Sequence, residues 1–325
     1  MLKHPLFAIA RKDLSDARRD RFLLILTGCL ALAALVSLIT GAMALSAEVA
    51  SYHEAKALLL SLGKPIDSIV APDFHPLKLL RGAIEQIEIL GAVLGILAGF
   101  RTAASERGRQ TLALIMTRPV KHWHFLAGKY LAGALLLSFS FLTVFALATL
   151  ALQGLSGVGL VADDLLRIFI VWGTASLYVL AFYSLTFVLT LGLKHPAHAL
   201  LIAFTAWLLV VLVAPQIGDT LDPDNQVAGG VFKQLSVPKA EQDRILAGYA
   251  AFETIRNGIE ASSITKHFER FSFAVLGIKD SYTGKPLGLI LTEKQGDFLW
   301  ILFTSLGLTV LLLVLPIHPN RITKE

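Results

Sequence analysis

Long apolar runs separated by polar segments dominate the pattern of this chain. The runs fall at 22–45 (FLLILTGCLALAALVSLITGAMAL), 87–104, 130–152, 168–193, 198–215 and 298–317. Each reaches the roughly 18 residues at which an apolar helix can cross a bilayer. The pattern predicts an all-α polytopic membrane protein with six transmembrane helices. The first run is well beyond the roughly 7–15 apolar residues of a secretory signal core, so it is expected to stay as an uncleaved span.

The polar segments carry patterns of their own. In 1–21, Leu6, Ala10 and Leu14 recur at helical spacing, while Arg11, Arg18 and Arg19 fall mostly on other faces. With Pro5 at a helix start, this reads as an amphipathic elbow helix lying along the membrane interface; a bare charged topology signal is the alternative. Segment 216–296 holds two helix-like stretches. In the first, SVPKAEQDRILAGYAAFETIRNGIE, Ser236 can cap and Pro238 suits a first turn. In the second, SSITKHFERFSFAVLG, Ile264, Phe268, Phe271 and Val275 share a face and Gly277 is a stop. That face is expected to pack on 46–86 as a small external helical cap, or else to lie on the membrane surface. Residues 22–215 thus form the first five spans, and 297–325 the sixth with a tail.

The connection 101–129 reads RTAASERGRQTLALIMTRPVKHWHFLAGK. A charged turn (Ser105, Glu106, Arg107, Gly108, Arg109, Gln110) leads to a short helix that Thr111 can cap. Leu112, Ile115 and Met116 lie on one face with Leu114 nearby. Pro119 ends it, because the residue before proline is pushed from helical angles. An apolar face with basic flanks suits a groove on a soluble partner; a helix lying on the chain's own surface is the plainer option.

Composition adds an orientation. The chain is 55% hydrophobic and 16% charged, with a mean hydropathy of +0.66. Lysine and arginine gather in the N-terminal segment, in 101–129, at Lys194 and in the tail, whereas QGLSGVGLVADD has none. The positive-inside rule puts the first three of these polar regions and both termini in the cytoplasm, and 46–86 and 216–296 outside. The basic excess therefore has a topological use, and nucleic acid is not an expected partner. The single cysteine, Cys29, lies in the first run, so no intrachain disulfide can form.

Candidate chemistry is sparse. No charged residue falls in the middle of a span, which argues against a carrier driven by an ion gradient. The sequence GxxxxGK[ST] is missing, so ATP and its magnesium, if used, belong to another chain. Three methionines and one cysteine make a poor soft-metal path. His122 and His124, flanking Trp123, read as an interfacial belt, His195 and His198 as turn and cap residues, and His267 as a surface residue. DTLDPDNQ reads as a solvated turn. No catalytic, cofactor-binding or metal-binding residue is assigned. Gly91, Gly95 and Gly99 form a GxxxGxxxG stripe for close helix packing, within the chain or at a subunit interface.

ERGRQTLALIMTRPVKHWHFLAGKYLAG resembles the segment of type-2 ABC transporter permeases that follows their second span. The matching residues are Glu106, Thr111, Leu112, Leu114, Pro119, Val120, Gly128 and Lys129. Gln110 stands where the family usually has a glycine before the threonine. The start, FAIARKDLSDARRDRFLLIL, is similar to the amphipathic N-terminus of the same family, especially of the branch linked to nitrous oxide reductase and multicopper enzyme maturation. The resemblance implies a permease subunit of an exporter-type transporter in a bacterial inner membrane. It implies a partner ATPase in two copies and a second permease chain, most simply a homodimer. Ser105–Met116 would be the ATPase-coupling contact. A periplasmic partner could engage 46–86 and 216–296. The competing expectations are a self-sufficient carrier or channel, for which the spans offer only hydroxyls such as Ser138, Ser140, Tyr183 and Thr186, and a membrane-embedded enzyme or scaffold.

Overall fold

The computed structural model describes residues 5–19, 21–62, 75–108, 122–157, 159–220, 232, 235, 237–248 and 250–314. Every regular element among them is helical. Six helices are long and apolar enough to cross a membrane: Arg21–Ser61, Pro76–Ser105, Trp123–Ser156, Ala162–Gly192, Pro196–Ile217 and Gln295–Val314. The protein is an all-α, multi-pass membrane protein.

The helices outrun the apolar runs that predict them. The first continues through AEVASYHEAKALLLS to Ser61, because alanine, glutamate, lysine and leucine are good helix formers and no glycine or proline interrupts them. The second starts at Pro76 as a tight 3₁₀ turn. The fourth starts at Ala162, with Asp163 and Asp164 in its first turn. Asp164 accepts a hydrogen bond from the Val161 amide at 3.1 Å, and carboxylates are favoured at that end of a helix.

The fourth span is the centre of the bundle. It packs against the second, third, fifth and sixth spans and against a further helix, Ile264–Val275. Tyr178, Tyr183 and Phe187, all on it, are among the largest fully buried side chains. Gly95 and Gly99 bring the second span into backbone contact with it. A Cβ on Gly95 would lie 2.7 Å from the Val179 carbonyl oxygen, and one on Gly99 would lie 2.4 Å from that of Tyr183. Gly91 faces the Phe141 ring and Val179. Within the chain, the glycine stripe is therefore occupied by the third and fourth spans. Large apolar side chains point outward instead on the first span (Leu24, Leu32, Val36), the fifth (Leu201, Leu209) and the sixth (Phe303, Val310).

Two spans contain a widened π turn, Ile87–Gly91 in the second and Leu208–Val213 in the fifth, and the two turns pack against each other. Such turns interrupt the regular carbonyl ladder. Side chains from neighbouring helices supply donors there. Tyr178 Oη donates to the Glu88 carbonyl at 2.8 Å. Trp207 Nε1 donates to that of Ile89 at 3.3 Å, and Ser263 Oγ to that of Val210 at 3.4 Å.

The segment between the fifth and sixth spans folds into short helices. The stretch expected to start at Ser236, which lies outside the described residues, is two helices, Lys239–Ala247 and Ala250–Ser262, with Gly248 between them. Ile264–Val275 follows, capped by Ser263 Oγ accepting from the Lys266 amide. It is stopped by Gly277, whose φ of 65° suits glycine. Its apolar face is inserted among the spans: Phe268, Phe271 and Val275 are fully buried, and Phe268 stacks on Tyr178 with ring centres 4.7 Å apart. The helix packs on the fourth and sixth spans, and of the 46–86 segment Arg81–Gln86 share in the contact. His267, expected at the surface, is instead largely enclosed, with Nδ1 2.6 Å from Asp297 Oδ1. The helix turns that edge toward the start of the sixth span, where Lys294 Nζ also pairs with Asp297, at 3.2 Å.

Candidate functional site

The segment singled out by sequence connects the second and third spans in the chain. The helix Ala92–Gly108 carries the second span into it. Ser105, Glu106, Arg107 and Gly108 are thus helical and not the charged turn expected from their polarity. Polar residues do not themselves end a helix. Ser105 is exposed and bonds back to the Thr102 carbonyl at 3.1 Å. Arg109, Gln110, Thr111, Leu112, Leu114, Ile115 and Met116 lie outside the described residues, as does Pro119. The third span starts at His122, where Trp123 stacks on His124 at 3.8 Å.

The N-terminal helix is Pro5–Arg19. It packs along the foot of the third span. Ala10 is buried, Leu6, Ile9 and Leu14 are half-buried, and Phe7 and Arg11 are exposed. Arg18 and Arg19 form the end of the helix. The apolar stripe of this helix therefore faces protein.

Two adjacent residues of the LAGK sequence make that docking possible. A Cβ on Gly128 would lie 2.8 Å from the Leu6 carbonyl oxygen and 3.0 Å from the Ile9 Cβ, so only glycine lets the helix come this close. The next residue, Lys129, has a side chain only 4% exposed, and its Nζ pairs with Asp13 Oδ2 at 2.8 Å. The lysine also lies over the Phe125 ring at 5.5 Å. A buried ammonium is tolerated because a carboxylate and an aromatic face are close to it.

From Lys129 a line of polar contacts runs toward the other spans. Tyr183 Oη, in the recess left by Gly133, reaches the Lys129 carbonyl at 3.5 Å. Tyr130 Oη accepts from Thr309 Oγ1 at 2.9 Å, and Thr309 lies 3.4 Å from Ser184 Oγ. The third, fourth and sixth spans are linked this way. Arg101, over the Phe22 ring at 4.4 Å, links the second to the first. Two of the hydroxyls considered as transport ligands have local uses. Thr186 Oγ1 donates to the Phe182 carbonyl, and Tyr183 Oη to the Lys129 carbonyl.

Asp13 was not among the residues marked by sequence. Its signal was present nonetheless: with Leu6, Ile9, Ala10 and Leu14 it falls in the i, i+3, i+4, i+7 stripe, a carboxylate on an apolar face. Arg167, at the start of the fourth span, is buried. It donates from Nε to Asp163 at 2.6 Å, from Nη1 to the Val275 carbonyl at 2.9 Å and from Nη2 to the Lys285 carbonyl at 2.8 Å.

Compared with known proteins, residues 7–318 match the family model described as ABC-2 family transporter protein. No curated protein matches the chain.

Proposed function

The chain belongs to the ABC-2 transporter family, which makes it the membrane subunit of an ABC transporter, and from that premise we propose that it couples ATP hydrolysis on a separate ATPase subunit to movement of a substrate across the bilayer. In this reading the segment Ser105–Met116 receives the ATPase. Two permease chains, most simply identical, stand on two ATPase subunits that hold ATP and magnesium. Both termini and the 101–129 connection face the cytoplasm of a bacterial inner membrane, and transport runs outward. The segments 46–86 and 216–296 are available to a periplasmic partner, and enzyme maturation is the service suggested by the narrower likeness of the N-terminus.

The observation that carries the reading is the family match across 7–318, which takes in the N-terminal helix, all six spans and the connection between the second and third. The basic residues of the N-terminal segment and of 101–129, set against the short loop QGLSGVGLVADD that has none, support the orientation. Coupling requires only that the ATPase bind the two permease conformations with different affinity.

The test is purification of the tagged full chain from its native membranes. An ATPase subunit is expected to accompany it. Glu106→Ala or Leu112→Ala is expected to abolish ATP-driven function while leaving the chain in the membrane. Full activity with no ATPase bound would sink the reading.

A further inference from the structure

We propose that Lys129 and Asp13 are positioning residues that pin the N-terminal helix to the foot of the third span, so that the helix, the end of the 101–129 connection and the third span move as one body. The inference rests on the coupling role proposed above, and it names the joint through which that role would act.

The geometry converges on this joint from three sides. The ion pair closes over 116 residues of chain, at 2.8 Å, with the lysine enclosed. The neighbouring Gly128 admits the Leu6 backbone at a distance no side chain would permit. The Lys129 carbonyl lies 3.5 Å from Tyr183 Oη on the central span, so a shift of the joint meets the bundle core directly. Gly128 sets the approach distance and the ion pair sets the register along the helix. A helix held by both cannot slide along the third span without separating a buried charge from its partner, which is strongly opposed. Lys129 stands in the second turn of the helix His122–Ser156, so the joint lies at the end of the third span that adjoins the connection.

The experiment uses the full chain in detergent with its copurifying ATPase. Variants are Lys129→Met, Asp13→Asn, Lys129→Arg and the exchanged pair Asp13→Lys with Lys129→Asp. Amide hydrogen exchange over residues 5–19 is one readout, and the ratio of coupled to basal ATP hydrolysis is the other. Lys129→Met and Asp13→Asn are expected to speed exchange in 5–19 by about tenfold or more, with exchange in the fourth span unchanged. Both are expected to drive the hydrolysis ratio toward one with the ATPase still bound. Lys129→Arg and the exchanged pair are expected to restore both readouts in part. Unchanged exchange in 5–19 for both single variants would overturn the pin. Faster exchange with an unaltered hydrolysis ratio would overturn its part in coupling. Should Lys129→Met fail to accumulate, Asp13→Asn decides alone, since Asp13 is the more exposed residue of the pair. If no ATPase accompanies even the unaltered chain, the coupling reading fails, while hydrogen exchange still decides the pin.

Discussion

Arg167 Nη1 donates to the carbonyl oxygen of Val275 at 2.9 Å, joining the start of the fourth span to the end of a helix 108 residues later. The same guanidinium holds Lys285 by its carbonyl and Asp163 by its carboxylate. One side chain therefore closes the 276–286 turn onto the bundle. Removing it would leave two carbonyls without their donors in a buried setting. Arg167→Met is expected to destabilise the helix Ile264–Val275 by about 2–4 kcal/mol. Limited proteolysis of the purified chain checks this, with faster cleavage in 276–286 and little change elsewhere. Arg167→Lys should rescue only in part, because an ammonium cannot span three acceptors in the guanidinium geometry. Cleavage of Arg167→Met at the unaltered rate would show that the helix is held by its apolar face alone.

The glycine stripe predicts a graded response. Gly99→Ala would bring a methyl to 2.4 Å from the Tyr183 carbonyl oxygen, and Gly95→Ala to 2.7 Å from that of Val179. Backbone cannot yield as a flexible side chain can, so each is expected to cost about 1–3 kcal/mol, with Gly99 the worse. Gly173, within the fourth span, has nothing within 4 Å of where a Cβ would stand. Gly173→Ala is expected to be neutral or to stabilise by up to about 1 kcal/mol. Thermal unfolding of the three variants, followed side by side in detergent, checks the order.

The helical class and the six spans were legible because a bilayer demands about twenty apolar residues per crossing, a signal that no soluble helix imitates. The outer ends were not. The run to Ser61 and the start at Pro76 are polar helix, and polarity reads as loop when membrane depth is the only ruler. The Gly91, Gly95 and Gly99 stripe was legible as a close contact, but its partner was not, since any smooth helix face can accept it. Lys129 is visible in the sequence as part of a recognisable motif and as one more basic residue of 101–129. Its use depends on Asp13, far away in the chain and marked only by standing in an apolar stripe. His267 was misplaced for a similar reason: an isolated histidine on an amphipathic helix carries no sign of the Asp297 it meets.

The paired π turns predict where side-chain donors matter most. Tyr178 is fully buried, stacks on Phe268 and donates to the Glu88 carbonyl. Tyr178→Phe keeps the ring and the stacking and removes the hydroxyl, with its bond to the Glu88 carbonyl and its 3.4 Å contact with Thr265 Oγ1. It is expected to cost about 1–3 kcal/mol, because both partners are left in a buried setting. Trp207→Phe, which removes a longer 3.3 Å bond to Ile89 at a partly buried site, is expected to cost less. Phe268→Leu removes the stacked partner and leaves the hydrogen bond. Unfolding midpoints for the three variants separate the bond from the ring contact. An unchanged midpoint for Tyr178→Phe would mean that the carbonyl finds another donor.

The proposed orientation can be read by chemical labelling, because the sequence provides an almost cysteine-free background. Cys29→Ser removes the single thiol. Exposed serines stand on both sides of the proposed topology: Ser15 in the N-terminal helix and Ser105 after the second span, Ser61 after the first span and Ser262 between the fifth and sixth. Each is changed in turn to cysteine and treated, in intact cells freed of any outer barrier, with a thiol reagent that cannot cross the bilayer. Ser61→Cys and Ser262→Cys are expected to react at once. Ser15→Cys and Ser105→Cys are expected to react only after the membrane is opened. The physical basis is the excess of arginine and lysine around 1–21 and 101–129, which resists transfer to the outer face. The reverse labelling pattern would place the Ser105–Met116 segment outside, away from ATP, and the coupling role could not stand. A pattern in which Ser61 and Ser262 label from opposite sides would break the six-span topology itself.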